Sequence, residues 1–327
     1  MLDVGSNTVH LLVVDARPGS HPDPVRSHKD ELRLAELLRP DGSLGAHGRD
    51  LLIRAVKGAQ EAAHEEAVDD LVAFATSAVR DATDSAEVLA AVRDQAGVDL
   101  VVLPGADEAA MTFLAVRRWF GWSAGRLLSL DIGGGSLEIA CGRDELPEVA
   151  LSVPLGAGRL TRDRLPGDPP SKAAVADLRK HVRAVLDEVV PEVRAAGVAD
   201  RGVATSKTFR SLARLDGAAP YDRGQLVPRK LTLTGVGGLV DMLGSIAASD
   251  RARLPGVSAS RAGQLLAGAV VAHEVMLAFG LQRVDICPWA LREGVVLRRL
   301  DWLASEGLVL TEGGGAPTAR RAPAPTG

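Results

Sequence analysis

Aromatic residues and cysteines are scarce in this chain of 327 residues. Phe, Trp and Tyr together make up 3% of the sequence, which is too few for an aromatic platform that stacks nucleic-acid bases. The two cysteines, Cys141 and Cys287, lie in different halves of the chain and match no spacing typical of metal-binding or redox motifs. We therefore expect both to be reduced thiols packed inside the protein.

The sequence also lacks a long apolar run and an excess of basic residues. No apolar stretch reaches the roughly 18 residues of a membrane-spanning helix, and the start, MLDVGSNTVH, lacks the basic segment of a signal peptide. The 38 Lys and Arg residues are outnumbered by 42 Asp and Glu, and this net charge of −4 excludes a general nucleic-acid-binding surface. We expect a cytoplasmic protein without nucleic-acid or membrane partners, in which a local basic patch would meet any polyanion.

The apolar pattern alternates between strands and helices. Apolar residues make up 46% and charged residues 24%, as in soluble globular proteins, and the length suits two domains of ~150 residues each. The pattern predicts a buried strand over Leu71–Ala75 and a helix over Asp107–Trp119. This alternation predicts an α/β fold with mixed sheets, divided into domains at 1–122 and 123–308. The tail at 309–327, rich in Gly, Pro and Ala, is expected to be disordered.

A repeat at domain scale carries the chemistry of this sequence. LDVGSNT at 2–8 and LDIGGGS at 130–136 each place an aspartate, Asp3 or Asp131, after an apolar residue and before a run of small residues. Backbone N–H groups in such a turn can bind phosphate oxygens, while the aspartate holds a divalent cation or water. Either copy alone could be a plain β-hairpin. Two copies with the aspartate at the same offset indicate two phosphate-binding turns that face each other across a cleft.

The first of these turns follows a very short strand. Only Met1 and Leu2 precede Asp3, although a buried strand usually has four to eight residues. We expect the native reading frame to begin upstream and to add an apolar strand of about four to six residues. The longer form should be more stable than the 327-residue chain and should hold the turn at 3–8 more firmly.

Further motifs together resemble one protein family. They are DVGSNT at 3–8, ATSAVRDA at 75–82, PGADEA at 104–109, DIGGGSLE at 131–138, LSVPLGAGRLT at 151–161 and LREG at 291–294. The chain is similar to the exopolyphosphatase and guanosine pentaphosphate phosphohydrolase family of the actin, hexokinase and Hsp70 superfamily, and most of all to its short actinobacterial branch. The resemblance covers residues 2 to about 305. It implies two actin-like (ribonuclease H-like) domains with mixed sheets that flank a central cleft.

The resemblance implies roles for the acidic residues. Glu108 matches the glutamate that acts as catalytic base in the family, although acidic residues are also favoured at helix N-termini by the helix dipole. Asp3, Asp131 and Glu138 are expected to hold Mg²⁺ or Mn²⁺, with Asp131 also counted among the catalytic residues. The alternative for Glu138 is a polar side chain of a strand that faces solvent.

Phosphate binding is expected from the two turns and from two basic residues. The predicted set is Gly5, Ser6, Asn7, Thr8, Arg80, Gly133, Gly134, Gly135, Ser136 and Lys207. Arg80 could instead form a salt bridge with Asp81 or Asp84. Lys207 follows a serine but does not belong to a P-loop, because the glycines of that motif are absent. Contact with phosphate therefore remains one of two alternatives for Lys207.

Several positions depart from the family pattern or stay ambiguous. The sequence reads VATSKT at 203–208, where ATP-binding members of the fold carry a Gly-Gly-Thr turn, so ATP is disfavoured as a cofactor. Gly263 stands where many relatives have an acidic residue. Arg292 and Glu293 are weaker site candidates that could pair with each other or cap a helix. His10 has no companion at metal-ligand spacing and is expected to be structural or on the surface.

The first functional hypothesis is an Mg²⁺-dependent exopolyphosphatase that removes the terminal phosphate of linear inorganic polyphosphate. The second is removal of the 5′ γ-phosphate of guanosine pentaphosphate, which would need a pocket for the base. A third, of another class, is a sensor that binds guanosine tetraphosphate or polyphosphate with only vestigial turnover. The partners expected are inorganic polyphosphate, guanosine penta- or tetraphosphate, and a second copy of the chain in a homodimer.

Overall fold

The computed structural model of the protein describes residues 1–15, 17 and 21–307, so the tail predicted at 309–327 lies outside the described residues. The first half of the chain forms a five-stranded mixed sheet in the order β3-β2-β1-β4-β5. Its strands are β1 (Leu2–Val4), β2 (Thr8–Val14), β3 (Pro24–Glu31), β4 (Ala73–Ala75) and β5 (Val101–Val102). Strands β1, β2 and β3 pair antiparallel, whereas β4 pairs parallel with β1 and with β5.

The helices of this half are α1 (Leu34–Leu37), α2 (Gly45–Glu65), α3 (Ser77–Arg80), α4 (Ser85–Ala96) and α5 (Gly105–Phe120). Helix α2 packs against α4 and against β2. Its buried residues Leu52, Val56, Ala59 and Ala63 recur every three or four positions, so they form one apolar face. That face closes the core over β1 and β4.

The second half forms a six-stranded mixed sheet in the order β10-β11-β9-β6-β7-β8. Its strands are β6 (Leu127–Ile132), β7 (Leu137–Gly142), β8 (Val149–Val153), β9 (Arg201–Ala204), β10 (Lys230–Thr232) and β11 (Arg283–Ile286). Strands β6, β7 and β8 pair antiparallel, β9 lies parallel to β6 and β11, and β10 pairs antiparallel with β11. The β6-β7-β8 meander therefore repeats the β1-β2-β3 meander of the first sheet.

Helices cover this second sheet. They are α6 (Ala157–Arg164), α7 (Lys172–Ala195), α8 (Ser206–Leu215), α9 (Leu233–Gly244), α10 (Ala248–Arg251), α11 (Ala259–Ala262), α12 (Leu265–Ala278) and α13 (Leu291–Gly307). Helix α12 packs against α7 and α9, and nearly all of its residues are buried, as expected for a helix that is apolar on every side. Helix α13 packs along α5 and places Val296 against Met1, Leu12 and Phe74 of the first sheet.

The structure confirms the predicted alternation and the mixed sheets. The predicted helix over Asp107–Trp119 is α5, and the predicted strand over Leu71–Ala75 is β4, two residues shorter at its start. Strand β3 was not expected, because all eight of its residues are exposed and polar residues dominate it. Cys141 and Cys287 are buried free thiols, as predicted. Within the described part of the chain, no helix is both long and apolar enough to span a membrane.

Candidate active site

The two repeated turns have the same backbone geometry. In the first, Gly5 N–H donates a hydrogen bond of 2.9 Å to the Thr8 carbonyl, and in the second Gly133 N–H donates one of 2.9 Å to the Ser136 carbonyl. The aspartates also match in register, because Asp3 pairs with the residue seven positions later and so does Asp131. The sequence repeat is therefore a structural repeat at the ends of two equivalent strand pairs.

The two turns meet across the cleft between the sheets. A Cβ atom added to Gly134 would lie 2.8 Å from Ser6 Cβ and 2.9 Å from Asn7 Nδ2. A Cβ on Gly135 would meet Ser77 Oγ at an impossibly short distance, and Ser77 Oγ in turn lies 2.8 Å from Ser6 Oγ. Only glycine permits this approach, since any side chain at 134 or 135 would push the turns apart.

The cleft holds a cavity of about 400 Å³, which we name the front cavity. Twelve of the residues predicted from sequence line it: Asp3, Gly5, Ser6, Asn7, Thr8, Glu108, Asp131, Gly133, Gly134, Ser136, Glu138 and Lys207. They come from both halves of the chain and both turns. Two predicted phosphate-binding residues, Arg80 and Gly135, are not part of this lining.

Glu108 lies in the first turn of α5 and is held from behind by Arg80. Arg80 Nη1 lies 3.0 Å from Glu108 Oε2, donates a second bond of 3.1 Å to the Leu103 carbonyl, and its Nε lies 3.2 Å from Asp81 Oδ1. The salt bridge of Arg80 to Asp81, weighed as an alternative, is thus present. Asp84 instead accepts hydrogen bonds from the backbone at residues 44 and 45.

The environment of Glu108 makes its carboxylate a stronger proton acceptor than that of a free glutamate. Burial raises the pKa of Glu108 to about 7, the Arg80 guanidinium opposes the rise, and the Asp131 and Asp3 carboxylates add to it. A carboxyl with a pKa near 7 can accept a proton from water and return it to solvent at neutral pH. Glu108 therefore has the position and the proton affinity of a general base.

Asp131 and Glu138 are cross-strand neighbours on β6 and β7. Thr205 Oγ1 donates a hydrogen bond of 2.5 Å to Asp131 Oδ2, and Ser152 Oγ donates one of 2.9 Å to Glu138 Oε1. Burial raises the pKa of Asp131, and it raises the pKa of Glu138 well above its ordinary value, with repulsion from Glu108 and Asp131 adding to the rise. Burial likewise raises the pKa of Asp3 to about 6.

This donor set fits a hard divalent cation. Carboxylate oxygens are among the ligands that Mg²⁺ and Mn²⁺ prefer. A cation would also relieve the repulsion between the carboxylates that are buried together in this cleft. No three Asp, Glu, His or Cys side chains of the described residues form a group that could hold a metal ion. A cation here would therefore keep water and phosphate oxygens as most of its ligands, as Mg²⁺ commonly does in phosphoryl-transfer sites.

A wall of cations completes the front cavity. It consists of Lys29, Lys207, Arg210, Arg261 and Arg292. Desolvation lowers the pKa of Lys207, and the positive charges of Arg261 and Lys29 lower it further, as expected where like charges are gathered. Lys29, Arg210 and Arg261 were not predicted from sequence. They lie on β3, α8 and α11, which are far apart in the chain, so no local pattern marks them as a group.

His10 and Arg292 form part of this wall. The His10 Nδ1 atom contacts Arg292 Nη1, the His10 Nε2 atom lies 2.7 Å from Ser27 Oγ, and Arg292 Nε lies 3.7 Å from Asp3 Oδ2. Burial lowers the pKa of His10 to about 4, and the charge of Arg292 lowers it further. His10 is therefore neutral and positions Arg292 beside Asp3. Glu293, considered as a partner of Arg292, instead accepts a hydrogen bond from Ala290 N–H at the start of α13.

The chain contains a second internal repeat, which was not predicted from sequence. The letters ATS occur at 75–77 and again at 204–206, each at the end of a parallel strand and each followed by an arginine within five residues. Thr76 and Thr205 have nearly the same backbone angles, with φ −116° and ψ −155° for one and φ −118° and ψ −157° for the other. A comparison at the spacing of the aspartate repeat, shifted by one residue, would have revealed it and pointed to Arg210.

Hydrogen bonds also connect the two halves of the chain across the cleft near the turns. Gln264 Nε2 donates hydrogen bonds to Asn7 Oδ1 at 3.1 Å and to Glu36 Oε1 at 3.0 Å. Arg159 Nε donates one of 2.9 Å to the Gly135 carbonyl, and its Nη2 pairs with Asp81. These bonds hold the first turn against the second half of the chain and the second turn against the first half.

Two mixed sheets with this topology around a cleft define an actin-like two-domain fold. The structure superposes on a crystal structure of an exopolyphosphatase from Cytophaga hutchinsonii with a TM-score of 0.82, at 22% identity, covering 92% of this chain and 97% of the other. The sequence model of the Ppx/GppA phosphatase family matches residues 12–303, and the chain belongs to that family.

Relatives in this family are close in sequence. The chain is 55% identical over 322 residues to Exopolyphosphatase 1 of Mycobacterium tuberculosis strain H37Rv, covering 98% of this chain and 93% of the relative. It is 54% identical over 301 residues to Exopolyphosphatase 1 of Mycobacterium leprae, covering 92% of this chain and 89% of the relative. The family and the fold predicted from sequence are confirmed.

Proposed function

We propose that this protein is an exopolyphosphatase, which hydrolyses the terminal phosphoanhydride bond of linear inorganic polyphosphate and releases orthophosphate. The observation that carries the proposal is the front cavity, where paired phosphate turns and a cationic wall converge on Glu108. The 55% identity to a protein named Exopolyphosphatase 1 supports it.

The terminal phosphoryl group would bind between the two turns. Backbone N–H groups and the hydroxyls of Ser6, Thr8 and Ser136 can donate to its oxygens. The following phosphates would lie along the cationic wall, where Lys207 and Arg210 neutralise part of their charge. A flexible polyanion without a base suits this site, because several of its negative phosphates can lie near the five cations of the wall.

Glu108 would act as the general base. Its carboxylate accepts a proton from water while the water oxygen forms a bond to the terminal phosphorus and the bridging P–O bond breaks. The leaving oxygen stays on the shortened chain, so the products are orthophosphate and a polyphosphate one unit shorter. Arg80 holds the Glu108 carboxylate in place through the 3.0 Å bond.

We propose Mg²⁺ or Mn²⁺ as the cofactor, held by Asp131 and Glu138 with Asp3 on the opposite side of the cleft. When bound, such an ion supplies positive charge that neutralises phosphate oxygens during the displacement. The hydrogen bonds of Thr205 to Asp131 and of Ser152 to Glu138 orient these carboxylates.

Guanosine pentaphosphate is the alternative substrate, and the lining of the cavity disfavours it. Among the described residues, no Phe, Tyr or Trp side chain lines the front cavity, so it offers a guanine base no aromatic stacking partner there. The sensor alternative is disfavoured by Glu108, since a site that only binds phosphate gains nothing from a carboxylate aimed into it.

The cellular location and the oligomeric state of the protein are also proposals. Two buried free thiols, Cys141 and Cys287, fit a reducing compartment, so we propose a cytoplasmic location that cell fractionation would test. We also propose a homodimer, because the exposed apolar side chains of Val25 and Leu303 line one surface groove together with Val13, Val14 and Val295. Light scattering on the purified protein would measure its mass in solution, and a mass of one chain would exclude the dimer.

The experiment that tests the function compares substrates. Purified protein is given short polyphosphate, long polyphosphate, guanosine pentaphosphate or ATP in Mg²⁺ buffer, and orthophosphate release is measured for each. We expect polyphosphate to give the highest kcat/KM and ATP the lowest. Faster release from guanosine pentaphosphate would assign the second function, and tight polyphosphate binding without release would assign the sensor.

A further inference from the structure

A second cavity of about 410 Å³, which we name the rear cavity, lies behind the proposed base. Its lining includes Arg80, Asp81, Gly105, Ala106, Ser136 and Ser152. Arg80 lines only the rear cavity and Glu108 only the front one, whereas Ser136 lines both. The Arg80–Glu108 ion pair therefore joins the lining of one cavity to the lining of the other.

After each round of hydrolysis, the product orthophosphate has to leave the site. In the proposed mechanism, orthophosphate forms in the front cavity beside Glu108 and the two turns. The shortened chain still occupies the cationic wall on the front side, so its phosphates repel the product and block that direction. A product that left by the front would have to wait until the whole chain dissociated.

We propose that orthophosphate leaves through the rear cavity, past Arg80, while the shortened chain stays bound at the front. This inference rests on the proposed function. The lining of the rear cavity includes groups that bind phosphate: a guanidinium from Arg80, hydroxyls from Ser136 and Ser152, and the N-terminal end of α5 at Gly105 and Ala106, which carries partial positive charge. The Asp81 carboxylate also lines it, and its charge is offset by salt bridges to Arg80 and Arg159.

Proton transfer during hydrolysis weakens the Arg80–Glu108 ion pair. While Glu108 is ionised, its charge and the charge of Asp81 hold Arg80. Hydrolysis moves a proton from water to Glu108, which removes one of these two charges at the moment when a phosphate dianion appears nearby. Arg80 then exchanges the neutral carboxyl for the product, and Glu108 loses its proton to solvent after the product has left.

Ala106 offers a test that leaves the proposed machinery untouched. It is exposed in the first turn of α5 and lines the rear cavity but not the front one. Ala106→Trp narrows the rear cavity. Ala106→Glu and Ala106→Gln have nearly the same size but differ in charge, and Glu is well tolerated near a helix N-terminus.

Two rates are measured on polyphosphate with saturating Mg²⁺. Rapid-quench mixing gives the rate of bond cleavage in the first turnover, and a fluorescent phosphate-binding reporter gives the rate at which orthophosphate reaches solvent. We expect Ala106→Trp to slow release about tenfold or more with cleavage unchanged, and Ala106→Glu to release several-fold more slowly than Ala106→Gln.

Release at the wild-type rate in both Ala106→Trp and Ala106→Glu would overturn the proposal. If Ala106→Trp also loses cleavage, the release rates of Ala106→Glu and Ala106→Gln are compared instead. Equal rates of orthophosphate release from these two variants would overturn the proposal. The wild-type cleavage rate reports separately on the proposed function. Absence of cleavage would refute that function, whereas normal cleavage with unaffected release would refute only the exit path.

Discussion

Arg80 Nη1 lies 3.0 Å from Glu108 Oε2, and this ion pair joins the helix that follows β4 to the helix that follows β5. The two residues are 28 positions apart in sequence. Parallel strands β4 and β5 end at the same edge of the sheet, which brings the helix starts together. The pair thus places the proposed base at the carboxyl edge of the first sheet, facing the second.

The first prediction concerns the base. Glu108→Gln should keep the fold and the KM for polyphosphate but lower kcat by at least ~100-fold, because an amide cannot accept the proton from water. Steady-state phosphate release measures this. Glu87→Gln, an exposed change on α4, is the matched control and should behave as wild type. Near-normal turnover in the Glu108 variant would remove this residue from the mechanism.

The second prediction is a pH profile. Because the pKa of Glu108 is raised to about 7, kcat should increase with pH and reach half of its maximum near pH 7. The same shift affects stability: folding raises this pKa above its ordinary value of 4.5, so the folded state binds the proton more tightly and stability falls as pH rises through that range. Glu108→Gln should therefore melt at a higher temperature than wild type at pH 8 but not at pH 4. A flat activity profile would contradict the assignment.

The third prediction concerns the metal. EDTA should abolish activity, and added Mg²⁺ or Mn²⁺ should restore it. Asp131→Asn should raise the metal concentration needed for half-maximal activity, because a neutral amide is a weaker ligand for a hard cation. Asp144→Asn, in the loop between β7 and β8 and outside the lining of the front cavity, is the control. Full activity after EDTA treatment would exclude a metal at this site.

The fourth prediction compares two glycines. Gly134→Ala puts a Cβ atom 2.8 Å from Ser6 Cβ, so the turns must separate and activity should fall strongly. Gly58→Ala on α2 meets nothing within 4 Å and should stabilise the helix by about 0.5–1 kcal/mol with activity unchanged. Activity assays and thermal melts of both variants check this. Wild-type activity in Gly134→Ala would mean that close contact of the turns is not required.

The fifth prediction concerns the cationic wall. Lys207→Gln should raise the KM for polyphosphate several-fold at low salt, and the difference should shrink at high salt, where exposed charges are screened. Lys57→Gln on the exposed side of α2 carries the same charge change away from the cavity and serves as control. An unchanged KM for the Lys207 variant at low salt would place this lysine outside the polyphosphate path.

Much of the site could be predicted because its residues lie in short local motifs. Asp3 and Asp131 stand at the same place in two strand–turn–strand units, and the spacing of these units reflects duplication of the fold. Hydrogen bonds within each turn fix its shape, so a few letters of sequence are enough to predict it. Glu108 was found in the same way, from its place at a helix start within a family motif.

Other features depend on how distant parts of the chain pack. Lys29, Arg210 and Arg261 line the front cavity only because β3, α8 and α11 converge on it, and nothing in their local sequence distinguishes them from exposed basic residues. The ion pair between the two cavities likewise depends on tertiary packing, because Arg80 and Glu108 are 28 positions apart in sequence.

Local sequence was enough to predict the two turns, the acidic residues beside them and the alternation of strands and helices, since each depends on interactions within a few residues. Three relationships came only from the folded structure: which cations face those turns, the close approach of Gly134 to Ser6, and the position of Arg80 outside the front cavity, paired with Glu108. These relationships arise from the packing of two sheets and α5 across a cleft. Packing distances between residues far apart in the chain are set by the whole core, and local patterns do not encode them.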